Sequence, residues 1–292
     1  SEDSSAKIYF AQDKKYLVPE MAAIFSLKTP LLDGSAKSRI LFDLYLYSLH
    51  ETLYSTLFFA QFAGLQFSAF QQDLDIVLAV TGYNEKTPLL LKTIAQSLPL
   101  VRPSQDQFEI YKQAILCNYD NAAKELPVKQ AIEILSSTVY NDAPTNPAKY
   151  KALKSLSYEE FIAFCGSIFN KSYVQGMIYG NISSSGAIAL WTDLKPALST
   201  TPYPIQEQAK KSVLMLPGKQ GPYVISKSTE RQGNGIILML QEGPFSFERK
   251  ASQQVLSKAL QDAFFDTLRT KQQTGYIAKA WDAEVEKQLF QL

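Results

Sequence analysis

The sequence predicts an α+β protein in which mostly antiparallel sheets pack against helices. Short stretches in which apolar and polar residues alternate are interspersed with longer stretches of helical periodicity. One order of strand, long helix and strand occurs near the amino terminus and again in the last third of the chain, which indicates two homologous copies. The 292 residues are 46% hydrophobic, which is enough for the cores of two domains.

The first copy is predicted to begin with two strands, a long helix and a second pair of strands. Apolar residues lie close to helical spacing within the long helix, and a glycine ends it. The predicted elements are strands Lys7–Phe10 and Met21–Leu27, helix Ser35–Ala63 ending at Gly64, and strands Leu65–Phe70 and Asp75–Gly82.

A block of helices follows, and capping patterns mark where three of them begin. Thr87-Pro88 suits the cap and first turn of a helix over Leu89–Leu98. Ser104–Gln107 and Ser157–Glu160 both fit a capping box, in which side chains satisfy the free N–H groups at a helix start. Strand Tyr173–Tyr179 and the short helix Gly186–Leu194 close the copy.

A stretch with two prolines and little periodicity, 199–209, is predicted to link the two copies. The predicted domains are therefore 1–200 and 201–292. The elements predicted in the second domain are strands Ser212–Leu216, Tyr223–Lys227 and Gly235–Gln241, helix Ser246–Gln272, and a strand that begins at Gly275–Trp281.

The repeat also predicts that the second copy is truncated. Thr29-Pro30 precedes the long helix that ends at Gly64, and Gly243-Pro244 precedes the one that ends near Gly275. The first copy continues for about 130 residues after its glycine, whereas 17 residues follow Gly275. We therefore expect this chain to be a fragment whose second domain lacks roughly 110 residues.

The charge balance gives no reason to expect nucleic acid or a membrane as a partner. Lys and Arg total 29 against 28 Asp and Glu, which leaves a net charge of +1. The longest apolar runs, such as Leu57–Ala60, are too short to span a bilayer. The compartment stays open between cytoplasm and periplasm.

No catalytic or metal-binding residue is expected within this chain. His50, the single histidine, resembles the start of an H-E-x-x-H motif, but Tyr54 stands at the second ligand position. Cys117 and Cys165 lie far apart in helical stretches and are expected to be buried thiols rather than a disulfide. Nucleophile elbows, Walker loops and dinucleotide fingerprints are also missing from the sequence.

Arg269 and Tyr276 form the remaining candidate site. They lie seven residues apart across Gly275, between a predicted helix and a predicted strand. An arginine stays cationic and a tyrosine offers a directional O–H, so the pair is suited to binding a carbonyl or an oxyanion. The simpler alternative is an arginine on a solvated helix face followed by a strand aromatic.

The segment that contains this pair resembles the C-terminal half of the insulinase (pitrilysin) family of zinc metallopeptidases. The resemblance is carried by Phe265–Leu268 followed by Arg269–Tyr276. Further landmarks occur upstream in the expected order, namely Asp13–Pro19, Ala63–Leu65, Gly82–Lys86 with Leu89–Lys92, Phe108–Ile110 and Gly180–Ile182. Thr274 departs from the pattern, because family members often carry an aliphatic residue there.

The resemblance implies that the chain is the third domain and the beginning of the fourth in a four-domain protein. In the family, two halves close around a peptide-sized chamber, and the zinc site belongs to the N-terminal half. Arg269 and Tyr276 would bind the substrate backbone near the scissile bond and stabilise the tetrahedral intermediate. The expected partners are that catalytic half and a peptide substrate. Zinc is expected in the parent protein but not in this chain, which alone would be inactive.

Two alternatives remain at this point. Some relatives in the superfamily, including core subunits of respiratory complexes, keep the fold as catalytically inactive structural or interaction proteins. Retention of Arg269 and Tyr276 argues against this alternative, and an upstream H-x-x-E-H motif would decide it. An independent small enzyme is disfavoured by the single histidine and the incomplete repeat.

Overall fold

The computed structural model describes residues 2–122, 124–198, 201–218 and 220–292. The chain divides into two compact units. Unit 1 comprises Ser1–Asn121 and Pro144–Lys210, and unit 2 comprises Ala122–Ala143 and Lys211–Leu292. The predicted division at 200/201 stays a prediction, and the predicted linker 199–209 includes positions 199 and 200, which lie outside the described residues.

Unit 1 contains a large mixed sheet with helices packed against one face. Its strands are β1 (Ala6–Gln12), β2 (Glu20–Lys28), β3 (Gln66–Gln72), β4 (Asp75–Tyr83) and β5 (Lys171–Gly180). Its helices are α1 (Ala36–Phe62), α2 (Thr87–Ser97), α3 (Gln105–Ala122), α5 (Asn146–Ser155), α6 (Tyr158–Ser167) and α7 (Ser184–Leu198). The short strand β6 (Thr201–Pro202) pairs with the start of β5.

The strand order of the large sheet is β1-β5-β2-β4-β3. β1 runs parallel to β5, whereas β2 runs antiparallel to both β5 and β4, and β4 pairs antiparallel with β3. Most ladders are therefore antiparallel, and the α+β fold class predicted from the sequence is confirmed.

Cross-strand packing explains a glycine in the middle of β5. Gly176 lies opposite Ile8 on one side and Phe25 on the other. A Cβ atom at Gly176 would lie 2.7 Å from the Phe25 ring and 2.8 Å from Ile8. The missing side chain therefore lets the buried Phe25 ring extend over β5 and stack against Trp191 of α7, with 6.0 Å between the ring centres.

The sequence predicts most helix ends in unit 1 correctly. The Ser35 side chain caps α1 by accepting a hydrogen bond from the Ser38 N–H. Gly64 follows the end of the helix in a left-handed conformation with φ +73°. Both capping boxes are confirmed, at Ser104–Gln107 and at Ser157–Glu160. The expected cap at Thr87 is wrong, because Lys86 precedes the first turn and the Thr87 hydroxyl instead donates to the Tyr83 carbonyl.

Unit 2 contains a smaller sheet in the order β7-β9-β8, with antiparallel ladders. Its elements are α4 (Pro127–Val139), β7 (Leu240–Pro244), α8 (Phe247–Phe265), a π-helical turn (Asp266–Lys271), β8 (Asp282–Val285) and β9 (Gln288–Gln291). Gln253 of α8 is buried and donates to the Phe290 carbonyl, which fastens the helix to β9.

Several strands predicted for the second copy do not form. Ser212–Leu216 contributes a single bridge, from Val213 to Tyr140, and Tyr223–Lys227 and Gly275–Trp281 form no strand. Gly235–Gln241 is regular only from Leu240 onward. A strand requires a neighbour to satisfy its N–H and C=O groups. Among the described residues these segments make only scattered bonds to strands: Trp281 exchanges two backbone bonds with Leu292, and the Gln241 side chain of β7 bonds to Leu214 and Leu216.

Candidate functional site

The candidate site lies where α8 ends, on a π-helical turn. The Gln272 N–H donates to the Thr267 carbonyl, five residues back, which is the π-helical pattern. Both the N–H and the hydroxyl of Thr274 then donate to the Leu268 carbonyl, at 2.9 Å each. Between these bonds Gln273 takes a left-handed conformation with φ 53°. The chain therefore reverses at Gln273, before Gly275.

This reversal brings Tyr276 back against Arg269. The guanidinium carbon of Arg269 lies 4.2 Å from the centre of the Tyr276 ring and 4.9 Å from the centre of the Phe265 ring. The cation therefore contacts two aromatic rings. At exposed positions each such contact is worth about 0.5–1 kcal/mol, so the two rings favour one orientation of the guanidinium.

The Arg269 guanidinium and the Tyr276 hydroxyl can both still bind a ligand. Tyr276 is 81% exposed and Arg269 is half-buried. The nearby carboxylate of Asp266 pairs with Lys271 at 2.7 Å, and this bond lowers the pKa of Asp266 below its ordinary value. Among the described residues no carboxylate forms an ion pair with Arg269. An uncompensated guanidinium beside a free phenol is suited to binding a carbonyl oxygen or an oxyanion.

The two sequence-predicted site residues therefore come together, and Phe265 is a third member that the sequence reasoning missed. Its position four residues before Arg269 on the same helix was the available signal, because such pairs face each other on an α-helix.

A second candidate binding surface lies in unit 1, on the sheet face away from the core. Tyr9, Met177 and Ile24 are paired across three neighbouring strands, and all three are exposed. Tyr179 extends this apolar row on β5. We call these four residues the open face. An exposed apolar patch of this kind marks a surface that contacts another molecule or segment.

The remaining candidates from the sequence lie apart from one another. His50 is exposed on α1, and its ring centre lies 6.2 Å from that of Phe67. Cys165 is buried and Cys117 is exposed, so the expectation of two buried thiols is correct for Cys165 and wrong for Cys117. Within the described ranges no three His, Cys, Asp or Glu side chains gather as metal ligands would. These residues do not fit a zinc site.

The described chain also has no helix that combines the length and the apolar character needed to cross a membrane.

Comparison with known families assigns the chain to one class of protein. Residues 1–152 match the family model for the middle or third domain of peptidase M16, and residues 155–292 match that for the peptidase M16 inactive domain. The chain therefore belongs to the insulinase (M16) peptidase family, and the resemblance noted in the sequence is confirmed.

Individual members of the family are also similar to this chain. The chain is 26% identical to human insulin-degrading enzyme over 277 residues, and 24% identical to the A-factor-processing enzyme of Saccharomyces cerevisiae over 278 residues. The matches include 93% and 94% of this chain but 27% of each relative. The crystal structure of pitrilysin superposes with a TM-score of 0.76 at 19% identity, over 100% of this chain and 31% of that protein. The chain thus spans about a quarter to a third of these proteins.

Proposed function

We propose that this chain is a non-catalytic C-terminal portion of a zinc metalloendopeptidase, and that Arg269 and Tyr276 bind the backbone of the peptide substrate near the bond to be cut. The observation that carries the proposal is the stack of the Arg269 guanidinium on the exposed Tyr276 ring. The family membership supplies the class of reaction, since the relatives named above include an insulin-degrading enzyme.

The chemistry of the pair supports this role. A developing oxyanion is stabilised by donors that are already oriented, because no reorganisation is needed as the charge forms. The two rings and the closed π-helical turn orient Arg269 in this way. The open face of unit 1 would form part of the wall of the peptide-binding chamber.

Zinc would be held elsewhere in the parent protein, because the described residues do not fit a zinc site. No step involving the metal is therefore assigned to this chain. Its proposed partners are the N-terminal catalytic half of the parent and the peptide substrate.

The decisive experiment is Tyr276→Phe in the full-length parent. Removal of one oriented donor typically lowers kcat by about 10²–10³-fold, so we expect a loss of that size with unchanged zinc content. Tyr54→Phe, at an exposed tyrosine on α1, is the matched control and should leave turnover unchanged. Equal turnover in the Tyr276→Phe and Tyr54→Phe variants would refute the role of Tyr276.

The runner-up function is an inactive structural or interaction protein on the same fold. The match of residues 155–292 to a domain described as inactive fits both functions. The two differ in the parent: an H-x-x-E-H motif upstream of this chain is required for the peptidase and has no role in a purely structural protein.

A further inference from the structure

The strand β3 forms one edge of the large sheet, and half of its backbone groups have no partner. β3 pairs with β4 along one side, and among the described residues no strand pairs with its other side. The hairpin closes with a two-residue turn between Gln72 and Asp75, so every second residue back from Gln72 bonds to β4. The residues between them, Phe67, Ala69 and Gln71, direct their N–H and C=O groups outward. Within the described ranges no hydrogen bond reaches these outward groups.

β3 also lacks the features that normally protect an exposed strand edge. Proteins block such edges with charged side chains, prolines or bulges, because an unprotected edge pairs readily with another strand. The seven residues of β3, QFSAFQQ, include no charged residue and no proline, and their register with β4 has no bulge. The whole length of β3 therefore keeps its capacity to pair.

The other strand edges of the described chain are protected, which makes β3 the exception. At the opposite edge of the same sheet, Glu2 forms a bridge with Lys7 of β1. In the smaller sheet, the edge strand β7 contains Glu242 and Pro244, and the edge strand β8 contains two carboxylates. The short strand β6 contains a proline. An edge without such a feature is a candidate for binding an extended chain.

An aromatic ring flanks the free edge on each face of the sheet. The Phe67 side chain is half-buried on the helix side, where it packs against the core and lies beside the exposed His50. Phe70 lies on the other face and is 43% exposed. A strand beside β3 would therefore meet one ring on each of its faces. Across neighbouring strands, aromatic rings pair favourably with aromatic and β-branched side chains.

We propose that the β3 edge binds an extended, uncharged segment of the peptide substrate, which adds a strand to the large sheet. The identification of the ligand as a peptide substrate rests on the proposed function. The outward backbone groups of β3 require an extended main chain, and the two rings favour β-branched or aromatic side chains at neighbouring positions. Because β3 has no charged side chain, it offers no ion pair that would select a charged segment.

A second copy of the chain fits this edge less well than a peptide does. The seven residues of one strand form a contact far smaller than the roughly 1,200 Å² that a stable interface between folded proteins buries. A peptide that is also bound elsewhere in the parent needs only weak affinity at β3, because the second contact is then intramolecular. The β3 edge therefore favours substrates that extend beyond the residues around the cleaved bond.

The test is an amide NMR titration of the whole 292-residue chain. The probe is a capped nine-residue peptide, KTVTFTVTK, in which valine and phenylalanine alternate with threonine and the terminal lysines keep it soluble. We expect the signals of Phe67, Ala69 and Gln71 to shift with one dissociation constant of about 0.1–1 mM, since a single short strand buries little surface. Hydrogen exchange at these three amides should slow in proportion to the fraction bound. The amides of Ser68 and Phe70, which already pair with β4, should change little.

Two controls isolate the backbone contact. In the peptide, proline in place of the two threonines beside phenylalanine keeps the apolar side chains but removes main-chain donors, and it should abolish the shifts. In the protein, Ala69→Pro removes one outward N–H without touching the ladder to β4, and binding should weaken at least about tenfold. The peptide control decides the question by itself if Ala69→Pro does not fold.

Gln12→Pro, on the opposite edge of the sheet, is the matched control for Ala69→Pro. The Val174 N–H donates to the Ser5 carbonyl and the Asp13 N–H donates to the Gly180 carbonyl, so the odd-numbered residues of β1 bond to β5. The Gln12 N–H therefore also points outward. Gln12→Pro should bind the peptide as the wild type does.

Each other result overturns the proposal. No shift at about 5 mM peptide, or equal shifts with the proline peptide, shows that β3 does not pair with an extended main chain. Equal binding by Ala69→Pro and Gln12→Pro places the peptide elsewhere. A dimer in sedimentation, with the outward amides of β3 protected before peptide is added, makes a second copy the occupant. The titration does not measure turnover, so its failure is distinguishable from that of the Tyr276→Phe experiment.

Discussion

The guanidinium carbon of Arg269 lies 4.2 Å from the centre of the Tyr276 ring, and this contact depends on the chain reversal between the two residues. The reversal is fixed by two bonds from Thr274 to the Leu268 carbonyl. Thr274 is also the position at which the sequence departs from the family pattern. Its hydroxyl makes one of these bonds, so the departure adds a constraint on the turn. Arg269 and Tyr276 form one unit, and the effects of changing them should not be additive.

Arg269→Lys in the full-length parent tests the need for the planar guanidinium. Lysine keeps the charge but loses the forked donors and the stacking surface. We expect kcat/KM for peptide hydrolysis to fall about 10- to 100-fold, or about 1.4–2.7 kcal/mol. Arg249→Lys, near the start of α8, is the control and should retain wild-type activity. Wild-type kcat/KM in Arg269→Lys would mean that charge alone suffices.

Phe265→Leu tests whether the second aromatic ring in contact with Arg269 contributes to activity. Leucine preserves most of the apolar volume but offers no π face to Arg269, so the guanidinium keeps a single aromatic contact. The loss of one exposed contact of about 0.7 kcal/mol predicts a roughly threefold lower kcat/KM. Phe264→Leu is a closely matched control, because Phe264 and Phe265 are both 40% exposed and neighbours in sequence. Equal effects of the two substitutions would remove Phe265 from the site.

The sequence predicts the first copy well because its patterns are satisfied by partners nearby in the same unit. β2 pairs with β4 on one side and with β5 on the other. The Ser35 and Ser157 caps form hydrogen bonds within the first turns of their own helices. The cap expected at Thr87 is wrong because its hydroxyl donates to the Tyr83 carbonyl, four residues back. The local sequence does not predict this bond.

The second copy shows where a local pattern stops being sufficient. Tyr223–Lys227 has the composition of a strand, but pairing depends on a neighbour that the described residues do not provide. At the site, motif and family resemblance identified Arg269 and Tyr276. The stack itself depends on the π-helical turn and on the left-handed Gln273, which helical periodicity does not predict.

Zinc titration of the isolated 292-residue chain tests the expectation that the metal belongs to another part of the parent. No three His, Cys, Asp or Glu side chains of the described residues lie close enough together to hold a metal ion, and the ring of His50 on α1 lies beside Phe67. Calorimetry at pH 7.5 should therefore detect no stoichiometric binding with nanomolar affinity, and His50→Ala should behave as the wild type. A nanomolar site that His50→Ala abolishes would contradict the expectation.

Tyr119→Phe should destabilise unit 1. The Tyr119 hydroxyl donates to the Asp43 carboxylate at 2.5 Å, and Arg39 lies 3.7 Å from the same carboxylate. Hydrogen bonds to charged groups contribute about 1.5–3 kcal/mol, and we expect the free energy of unfolding to fall by that amount. Urea unfolding followed by the fluorescence of Trp191, in a Trp281→Phe background, measures it. Tyr54→Phe is the control, and an unchanged midpoint in Tyr119→Phe would contradict the assignment.

Tyr119 also gives this contribution a pH dependence. Burial, followed by the Asp43 charge, raises the pKa of the Tyr119 phenol above its ordinary value of 10.0. The folded pKa is thus higher than the unfolded one, so the stabilisation is complete below pH 10 and is lost as the pH rises above it. The difference in stability between wild type and Tyr119→Phe should shrink above pH 10.

The two thiols should differ in reactivity. Cys117 is exposed, whereas Cys165 is buried, and this burial raises the pKa of the Cys165 thiol from 9.0 to about 12. Only the thiolate reacts with disulfide reagents, so at pH 8 the folded chain should show one fast thiol. Cys117→Ser should abolish the fast phase, and Cys165 should react only upon unfolding. Comparable rates for both thiols in the folded chain would contradict the burial of Cys165.

The same shift in the pKa of Cys165 predicts how stability changes in alkali. Because its folded pKa exceeds the unfolded value, its contribution is fully present below pH 9 and is lost as the pH rises from 9 towards about 12. Within that window the loss approaches about 1.4 kcal/mol per pH unit. Cys165→Ala removes the titrating group, so its free energy of unfolding should fall less steeply with pH than that of the wild type. Parallel curves between pH 9 and 11 would show that Cys165 ionises equally in both states.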